Sequence, residues 1–220
     1  MGGNEKKTNN MNSIWKKILN VFFAFLCVSI SLYPLKYFIG DPLTGLLSSK
    51  SPELLADNLW NTAFYGHITF GGLALLIGWT QFQSKWRLKY LSYHRFVGKV
   101  YVLSALISGA CGIYIGFFAS GGIISSMGFI SLGLVWLYTT ARAYTAIKKG
   151  RIREHQNWMI YSYAACFAAV SLRILLPLLI IGMGDFIPAY RIVAWMCWVP
   201  NLIVAHLIVR RNLETKISIS

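Results

Sequence analysis

The sequence predicts an all-α integral membrane protein with six transmembrane helices. Hydrophobic residues make up 56% of its 220 residues and charged residues 13%, which is about half the charged share of a soluble domain. The mean hydropathy is +0.54. Apolar residues are gathered in long runs, and a helix needs roughly 20 such residues to cross a bilayer. A disordered chain and an ordinary soluble enzyme are therefore excluded.

Six apolar segments have the length of a membrane span. They lie near 18–39, 60–82, 97–119, 122–145, 157–182 and 188–209. The first follows a polar stretch and lacks the small-residue cleavage pattern of a signal peptide, so we interpret it as a retained helix. We predict a transmembrane domain over 18–209 with spans two to five as a four-helix core, and tails over 1–17 and 210–220.

The distribution of basic residues predicts the orientation. The formal net charge is +14, and seventeen of the 21 Lys and Arg residues fall in four clusters. The clusters lie at 6–17, 85–99, 142–153 and 210–216. With six spans, all four clusters fall on one side of the membrane, which is typical of cytoplasmic loops. The protein is therefore predicted to lie in a bacterial inner membrane with both termini in the cytoplasm. This face should attract anionic lipid headgroups. Nucleic-acid binding is not expected, because no recognition motif accompanies the charge.

The longest outer connection, 40–59, contains a helix-start pattern. Ser51 is suited to be an N-cap and Pro52 the first residue of a short helix. Two interpretations stay open for this segment. Leu54, Leu55 and Leu59 would make it an interfacial lid, or it is a plain amphipathic connector.

Small and polar residues form a stripe along span two. The stripe consists of His67, Gly71, Ala74, Gly78 and Gln81, which share one helical face. Such a face packs against other helices rather than lipid. Either His67 is hydrogen-bonded to a neighbouring helix, or it is part of the wall of a ligand pocket. Span three carries a matching small-residue seam at Ser104, Ser108, Gly112 and Gly116, which predicts helix packing.

Arg173 is predicted in span five, in the same outer half as His67. A polar group inside the membrane is costly and is a functional candidate by default. The predicted spans contain no Asp or Glu to pair with it. Arg173 either reaches Asp185 or water, or it holds an anion such as a carboxylate, a propionate or a lipid phosphate. We predict His67 and Arg173 as an outer pocket for a quinol-like or anionic small molecule.

His94 and His155 are predicted at the cytoplasmic ends of spans three and five. Two His residues on facing helices can ligate a b-type haem iron, and Arg95 and Gln81 with the basic loops would seat the cofactor. The alternatives are interfacial histidines that bond to headgroups or backbone, and a metal site that also uses His206.

Taken together, these residues resemble a known family. The ordered set is His67, the run LIGWTQF at 76–82, Arg87, His94-Arg95, Gly98-Lys99, Tyr101, Trp136, His155, Trp158-Met159 and Arg173. It resembles, over about 60–175, the predicted bacterial membrane-protein family called domain of unknown function 2306. Gln156 stands where the family pattern suggests a basic residue. The resemblance implies that His67, Gln81, His94, Arg95, His155 and Arg173 are the family's polar signature, and it implies no activity.

Spans two to five also show a weaker similarity to the core of transmembrane b-type cytochromes. Those proteins use His on alternate core helices, as His94 and His155 would be. His67 has no histidine partner in the outer half, so at most one haem would fit that pattern.

Three functions follow as hypotheses. The first is a single-haem b-type redox carrier with His94 and His155 as ligands. The second is a cofactor-free carrier or binding protein for an anionic small molecule or lipid at His67 and Arg173. The third is a non-catalytic subunit of a membrane complex. An enzyme is less favoured, since no nucleophile–base pair or nucleotide-binding motif is visible.

Overall fold

The computed structural model describes residues 2–39 and 45–217, with side chains at 14–15, 17–39, 45–83 and 87–214. The described chain is helical and contains no strand, which confirms the all-α prediction. Its helices are α1 Gly2–Leu32, α2 Lys36–Ile39, α3 Pro52–Leu55, α4 Asn58–Gly78, α5 Ser84–Lys89, α6 Leu91–Gly116, α7 Ile123–Lys148, α8 Ile152–Cys166, α9 Ala168–Met183, α10 Phe186–Met196 and α11 Val199–Ile217. Short 3-10 turns occupy Tyr33–Leu35, Gly45–Ser49 and Trp79–Phe82. Met1, the first residues of the predicted outer loop (40–44) and the end of the predicted C-terminal tail (218–220) lie outside the described residues.

Five helical segments of the described chain are long and apolar enough to cross a membrane. They are Lys17–Ile39, Leu91–Gly116, Ile123–Lys148, Ile152–Met183 and Phe186–Glu214. Each overlaps one predicted span. The remaining predicted span, 60–82, corresponds to α4 and the 3-10 turn after it. α4 is 21 residues long. It is not among the five because its Asn, Thr and His residues lower its mean hydropathy.

Four long helical segments contact one another in a closed ring. α4 packs against α6, α6 against α7, α7 against α8, and α8 against α4. α1 lies outside the ring against α4 and α9, while α10 lies against α7 and α9, and α11 lies against α8. The helices of predicted spans two to five therefore surround the interior, and the first and last spans flank them.

The close approach of α4 and α6 depends on their small residues. A Cβ on Gly71 would lie 2.9 Å from Ser108 Oγ, and one on Gly112 would lie 2.8 Å from His67 Nδ1. Small residues at such positions let two helix backbones come close. The predicted seam of α6 is thus confirmed as a packing surface, and the stripe of α4 contacts it.

Predicted spans five and six are each built from two helices. Phe167 separates α8 from α9, and the chain breaks again between α10 and α11 at Cys197 and Trp198. Asn201 in α11 joins the two breaks: its Nδ2 donates to the Ala164 carbonyl at 3.3 Å and to the Cys197 carbonyl at 2.9 Å. A break in a membrane helix is tolerated where a neighbouring side chain satisfies the freed carbonyls.

The helix predicted after Ser51 is confirmed at its start. Ser51 Oγ accepts a hydrogen bond from the Leu54 backbone N–H, and Pro52 is the first helical residue. The helix ends at Leu55, and Asp57 then caps α4 by accepting from the Leu59 N–H at 2.8 Å. Leu54 and Leu55 pack against a buried aromatic cluster, whereas Leu59 is 63% exposed.

Candidate functional site

The two ends of the bundle differ in their connections. We call the end formed by residues 45–57, 117–122 and 184–185 the lid end, and the end formed by residues 83–90 and 149–151 the basic end. At the lid end Lys50 Nζ donates to the Phe118 carbonyl at 2.5 Å and to Ser120 Oγ at 3.1 Å. This pair of hydrogen bonds ties the segment after the first span to the turn that joins α6 to α7.

A cavity of about 220 Å³ lies in the lid-end half of the bundle. It is larger than the engineered cavity of about 150 Å³ that holds benzene in another protein. Its lining is mostly apolar and aromatic, with Phe64, Phe129 and Trp136 among the contributors. His67 and Arg173 both line it, so the structure brings together the two residues predicted as an outer pocket.

His67 is held from one side by α6. Its Nδ1 lies 2.9 Å from the Ser108 carbonyl oxygen, and Ser108 Oγ donates to the His67 carbonyl at 2.9 Å. A carbonyl oxygen only accepts hydrogen bonds, so Nδ1 carries the proton and donates. In the neutral ring Nε2 then has a lone pair, and no described residue hydrogen-bonds to it.

Arg173 has no carboxylate partner in the described part of the chain. Its Nη1 donates to the Ala169 carbonyl at 2.9 Å, and its guanidinium lies 4.6 Å from the centre of the Tyr33 ring. Arg173 Nε is buried and has no hydrogen-bond partner among the residues that the structure describes. Asp185, the predicted alternative partner, instead caps α10 by accepting from the Ile187 N–H at 3.0 Å.

Two lysines add positive charge near Arg173. Lys36 Nζ lies 4.5 Å from the centre of the Tyr33 ring, so two cations contact that one ring. Lys50 lines the cavity, and burial lowers its pKa. The ion pairs within the described side chains involve Arg142, Arg151 and Arg210, and none of these three cations. Glu53, Asp57 and Asp185 also lie at the lid end, but none of them forms an ion pair with Arg173, Lys36 or Lys50 within the described residues.

Trp60 supplies a second unpartnered donor. It lines the cavity and is 2% exposed, and its Nε1 has no hydrogen-bond partner among the residues that the structure describes. A buried N–H without a partner costs about 1–3 kcal/mol, so it points to a missing acceptor.

The basic end brings His94 and His155 near each other. His155 Nδ1 donates to the Ala143 carbonyl at 2.9 Å, which leaves its Nε2 available. The charge of Arg87 acts on both rings, and that of Arg95 acts on His94. Neither histidine lines the lid-end cavity.

His206 does not join this pair, since its Nδ1 lies 3.0 Å from the Tyr161 hydroxyl. Within the described ranges no group of three or more His, Cys, Asp or Glu is placed to hold a metal ion. The predicted metal site with His206 thus has no ligand set in this part of the chain.

Hydroxyl groups fill the interior between the cavity and the basic end. Ser162 Oγ lies 2.9 Å from the Tyr101 hydroxyl and 2.7 Å from Thr140 Oγ1, and Trp136 Nε1 donates to the Tyr101 hydroxyl at 3.5 Å. This buried network links α6, α7 and α8. Sequence reasoning recognised Tyr101 and Trp136 only through the family resemblance.

Gln81 lies beside α6 and outside the cavity. It is 7% exposed, its Nε2 donates to Thr80 Oγ1 at 3.3 Å, and its Oε1 has no partner within the described chain. A Cβ on Gly98 would lie 3.7 Å from that oxygen. Gln81 is thus buried at the α4–α6 contact.

Sequence reasoning missed Trp60 and Lys50. Trp60, Phe64 and His67 share one face of α4, so extending the polar stripe toward the start of the helix would have found Trp60. Lys50 lies in a connection whose position depends on its contact with residues 118–120, and no sequence pattern predicts that contact.

The comparison with family models matches residues 64–209, well over half of the chain, to the family described as Predicted membrane protein (DUF2306). The chain belongs to this family. The matched region of this DUF2306 protein includes His67, His94, Arg95, His155 and Arg173, while Trp60 and Lys50 precede it. No curated protein and no solved structure matches the chain.

Proposed function

We propose that this DUF2306 protein binds a small anionic molecule in its lid-end cavity. The proposal rests on Arg173. Its side chain lines the cavity, and its Nε is buried without a hydrogen-bond partner among the described residues. A buried charge is costly unless it is paired and hydrogen-bonded. A bound anion would supply both the opposite charge and the hydrogen-bond acceptor that Arg173 lacks.

The surrounding charges support the same ligand class. Lys36 shares the Tyr33 ring with Arg173, and Lys50 lies at the cavity wall. Positive charges within a low-dielectric wall raise the local concentration of anions. A carboxylate or phosphate oxygen next to Arg173 would also make charge-assisted hydrogen bonds, which are about twice as strong as neutral ones.

Thermal unfolding of the detergent-purified protein tests this proposal. Benzoate, butyrate and inorganic phosphate, added at constant ionic strength, are the probes. We expect at least one of them to raise the unfolding midpoint of the parent, since a ligand at one hundred times its dissociation constant contributes about 2.7 kcal/mol. Arg173→Met should abolish this response.

Two variants serve as controls for the loss of the anion-induced midpoint rise in Arg173→Met. Arg191→Met removes a lid-end arginine that does not line the cavity, and His155→Ala changes the basic end. Both should keep the midpoint rise. A response of Arg173→Met equal to that of the parent, or no response of the parent to any anion, would overturn the proposal.

We also propose that the protein crosses the membrane six times, with both termini in the cytoplasm. α4 would be the sixth span: its 21 residues reach about 31 Å, which matches a hydrocarbon core of about 30 Å. The four basic clusters then face the cytoplasm and the anionic headgroups of an inner membrane. Alkaline phosphatase should be active when fused after residue 57 and inactive at the C-terminus; an active C-terminal fusion contradicts this topology.

A single b-type haem between His94 and His155 is the second candidate. The hydrogen bond from His155 Nδ1 to the Ala143 carbonyl supports it, because metal-ligating histidines commonly fix their rings in this way. Arg95 and Arg87 would lie near the propionates, and Gln81 would be a neighbour from the 3-10 turn after α4. The optical spectrum tests the idea.

We expect a Soret band and a sharp reduced α band, near one haem per chain, that His155→Ala removes. A colourless protein, expressed with haem supplied, would exclude this candidate and leave the anion cavity unaffected. The remaining hypothesis, a non-catalytic subunit of a membrane complex, predicts a partner that co-purifies at fixed stoichiometry.

A further inference from the structure

We infer that the ligand of the lid-end cavity carries a hydroxyl group as well as its anionic group, and that it is a hydroxylated aromatic carboxylate. This inference rests on the proposed function and names its ligand class. It follows from the hydrogen-bonding groups that the cavity leaves without a protein partner.

The acceptor is His67 Nε2. Since Nδ1 must donate to the Ser108 carbonyl at 2.9 Å, the neutral ring presents only a lone pair at Nε2. A second proton on this ring would place another positive charge near Arg173, whose charge already acts on His67. His67 therefore accepts a hydrogen bond, and the group that fits it is a donor such as a hydroxyl.

The donors are Arg173 Nε and Trp60 Nε1. Both are buried N–H groups without a partner in the described chain, and both side chains line the same cavity as His67. Each can donate a hydrogen bond to an oxygen of an anionic group such as a carboxylate. The ligand that satisfies all three groups has acceptor oxygens at one position and a donating hydroxyl at another.

The walls favour an aromatic body. The Trp60 and Phe64 rings are stacked, with centroids 5.2 Å apart and planes 8° from parallel. The cavity of about 220 Å³ exceeds the ~150 Å³ that holds a benzene ring. Gly71 and Gly112 open the α4–α6 side, where a Cβ would contact Ser108 or His67. Aromatic walls favour an aromatic ring through offset or edge contacts.

Titration calorimetry with a matched set of ligands tests the inference. The set is benzoate, its three hydroxy isomers and phenol. We expect one hydroxybenzoate isomer to bind the parent about tenfold more tightly than benzoate, which corresponds to about 1.4 kcal/mol. Phenol, which lacks the carboxylate, should bind more weakly than that isomer.

His67→Phe keeps a ring and removes the acceptor. We expect this variant to lose the preference for the hydroxybenzoate over benzoate. The matched control is His206→Phe, the same substitution at an exposed site beside Tyr161, and it should keep the preference.

The outcomes separate the two proposals. Benzoate binding as tightly as every hydroxybenzoate, or a hydroxyl preference that persists in His67→Phe, overturns the hydroxyl inference and leaves the anion cavity standing. If none of the carboxylates binds in an Arg173-dependent way, the hydroxyl inference is overturned; if inorganic phosphate fails as well, both proposals are overturned. If His67→Phe fails to fold, the ranking of benzoate and hydroxybenzoate in the parent still decides.

Discussion

An Arg173→Met variant is expected to unfold at a higher temperature than the parent when no ligand is present. Arg173 Nε is buried without a hydrogen-bond partner in the described part of the chain, and Lys36 brings a like charge to the same Tyr33 ring. Methionine is apolar and flexible and fills irregular gaps in a core. The variant removes an uncompensated buried charge, and replacing even well-paired buried charges with apolar residues stabilises some proteins by 1–4 kcal/mol.

Arg173 also makes favourable contacts, so the net gain is smaller. The contact with Tyr33 contributes about 0.5–2 kcal/mol, and the hydrogen bond to the Ala169 carbonyl about 1 kcal/mol. We expect a net gain of about 1 kcal/mol, which for a chain of this size raises the midpoint by about 2–4 °C. Thermal unfolding in detergent, with chloride as the buffer anion, measures it.

Two comparisons make this result specific. Arg191→Met should lower the midpoint, because Arg191 Nε donates to the Gly121 carbonyl at 2.7 Å. Asp41→Asn should leave it unchanged. If Arg173→Met and Asp41→Asn both lower the midpoint, an Arg173–Asp41 ion pair rather than an anion satisfies the charge. A gain in stability from Arg173→Met is the result expected of a residue kept for binding, because stability and function commonly trade off at functional sites.

Gly78→Ala is expected to cause the largest loss of stability. A Cβ at Gly78 would clash with the Tyr163 ring and would lie 2.9 Å from a Tyr101 ring carbon. Neither ring is free to move: the Tyr163 hydroxyl donates to the Leu75 carbonyl at 3.1 Å, and Tyr101 belongs to the buried hydroxyl network with Ser162. Overpacking of a tight core typically costs 1–3 kcal/mol, and here we expect about 3 kcal/mol.

Gly182→Ala is the matched control. Gly182 lies in α9, and a Cβ there would meet nothing within 4 Å. Alanine is favoured over glycine in a helix by about 0.5–1 kcal/mol, so this variant should be slightly more stable than the parent. Thermal midpoints of the two variants in the same detergent provide the test. Equal midpoints would show that the α4–α8 contact tolerates an added methyl group and would contradict the expected clash.

The polar signature of the sequence divides into two groups in the structure. His67 and Arg173 line one cavity at the lid end, whereas His94 and His155 lie together at the basic end. Hydroxyl groups of Tyr101, Thr140 and Ser162 occupy the interior between them. The two candidate functions therefore use separate groups of residues and can be tested independently.

Local sequence patterns determined the helical membrane fold. Apolar runs predicted helical segments, five of which are long and apolar enough to cross a membrane. Ser51 and Pro52 predicted the start of α3, and the small-residue spacing of spans two and three predicted the faces that meet. Each of these depends on residues close together in the chain. Helix periodicity and capping are properties of such short segments, and the sequence therefore displays them directly.

Only the tertiary structure decided which side chains share the cavity. Lys50 and Trp60 lie in consecutive segments, whereas Arg173 comes from a distant part of the chain. Their meeting depends on how α9 and the lid end pack against α4. The direction of the His67 ring is likewise set by the Ser108 carbonyl on another helix. The helical break at Phe167 was also unforeseen, because Asn201 of α11 donates to the nearby Ala164 carbonyl from a different helix. Contacts between distant segments depend on the rotation and crossing of whole helices, which the packing of all of them fixes together.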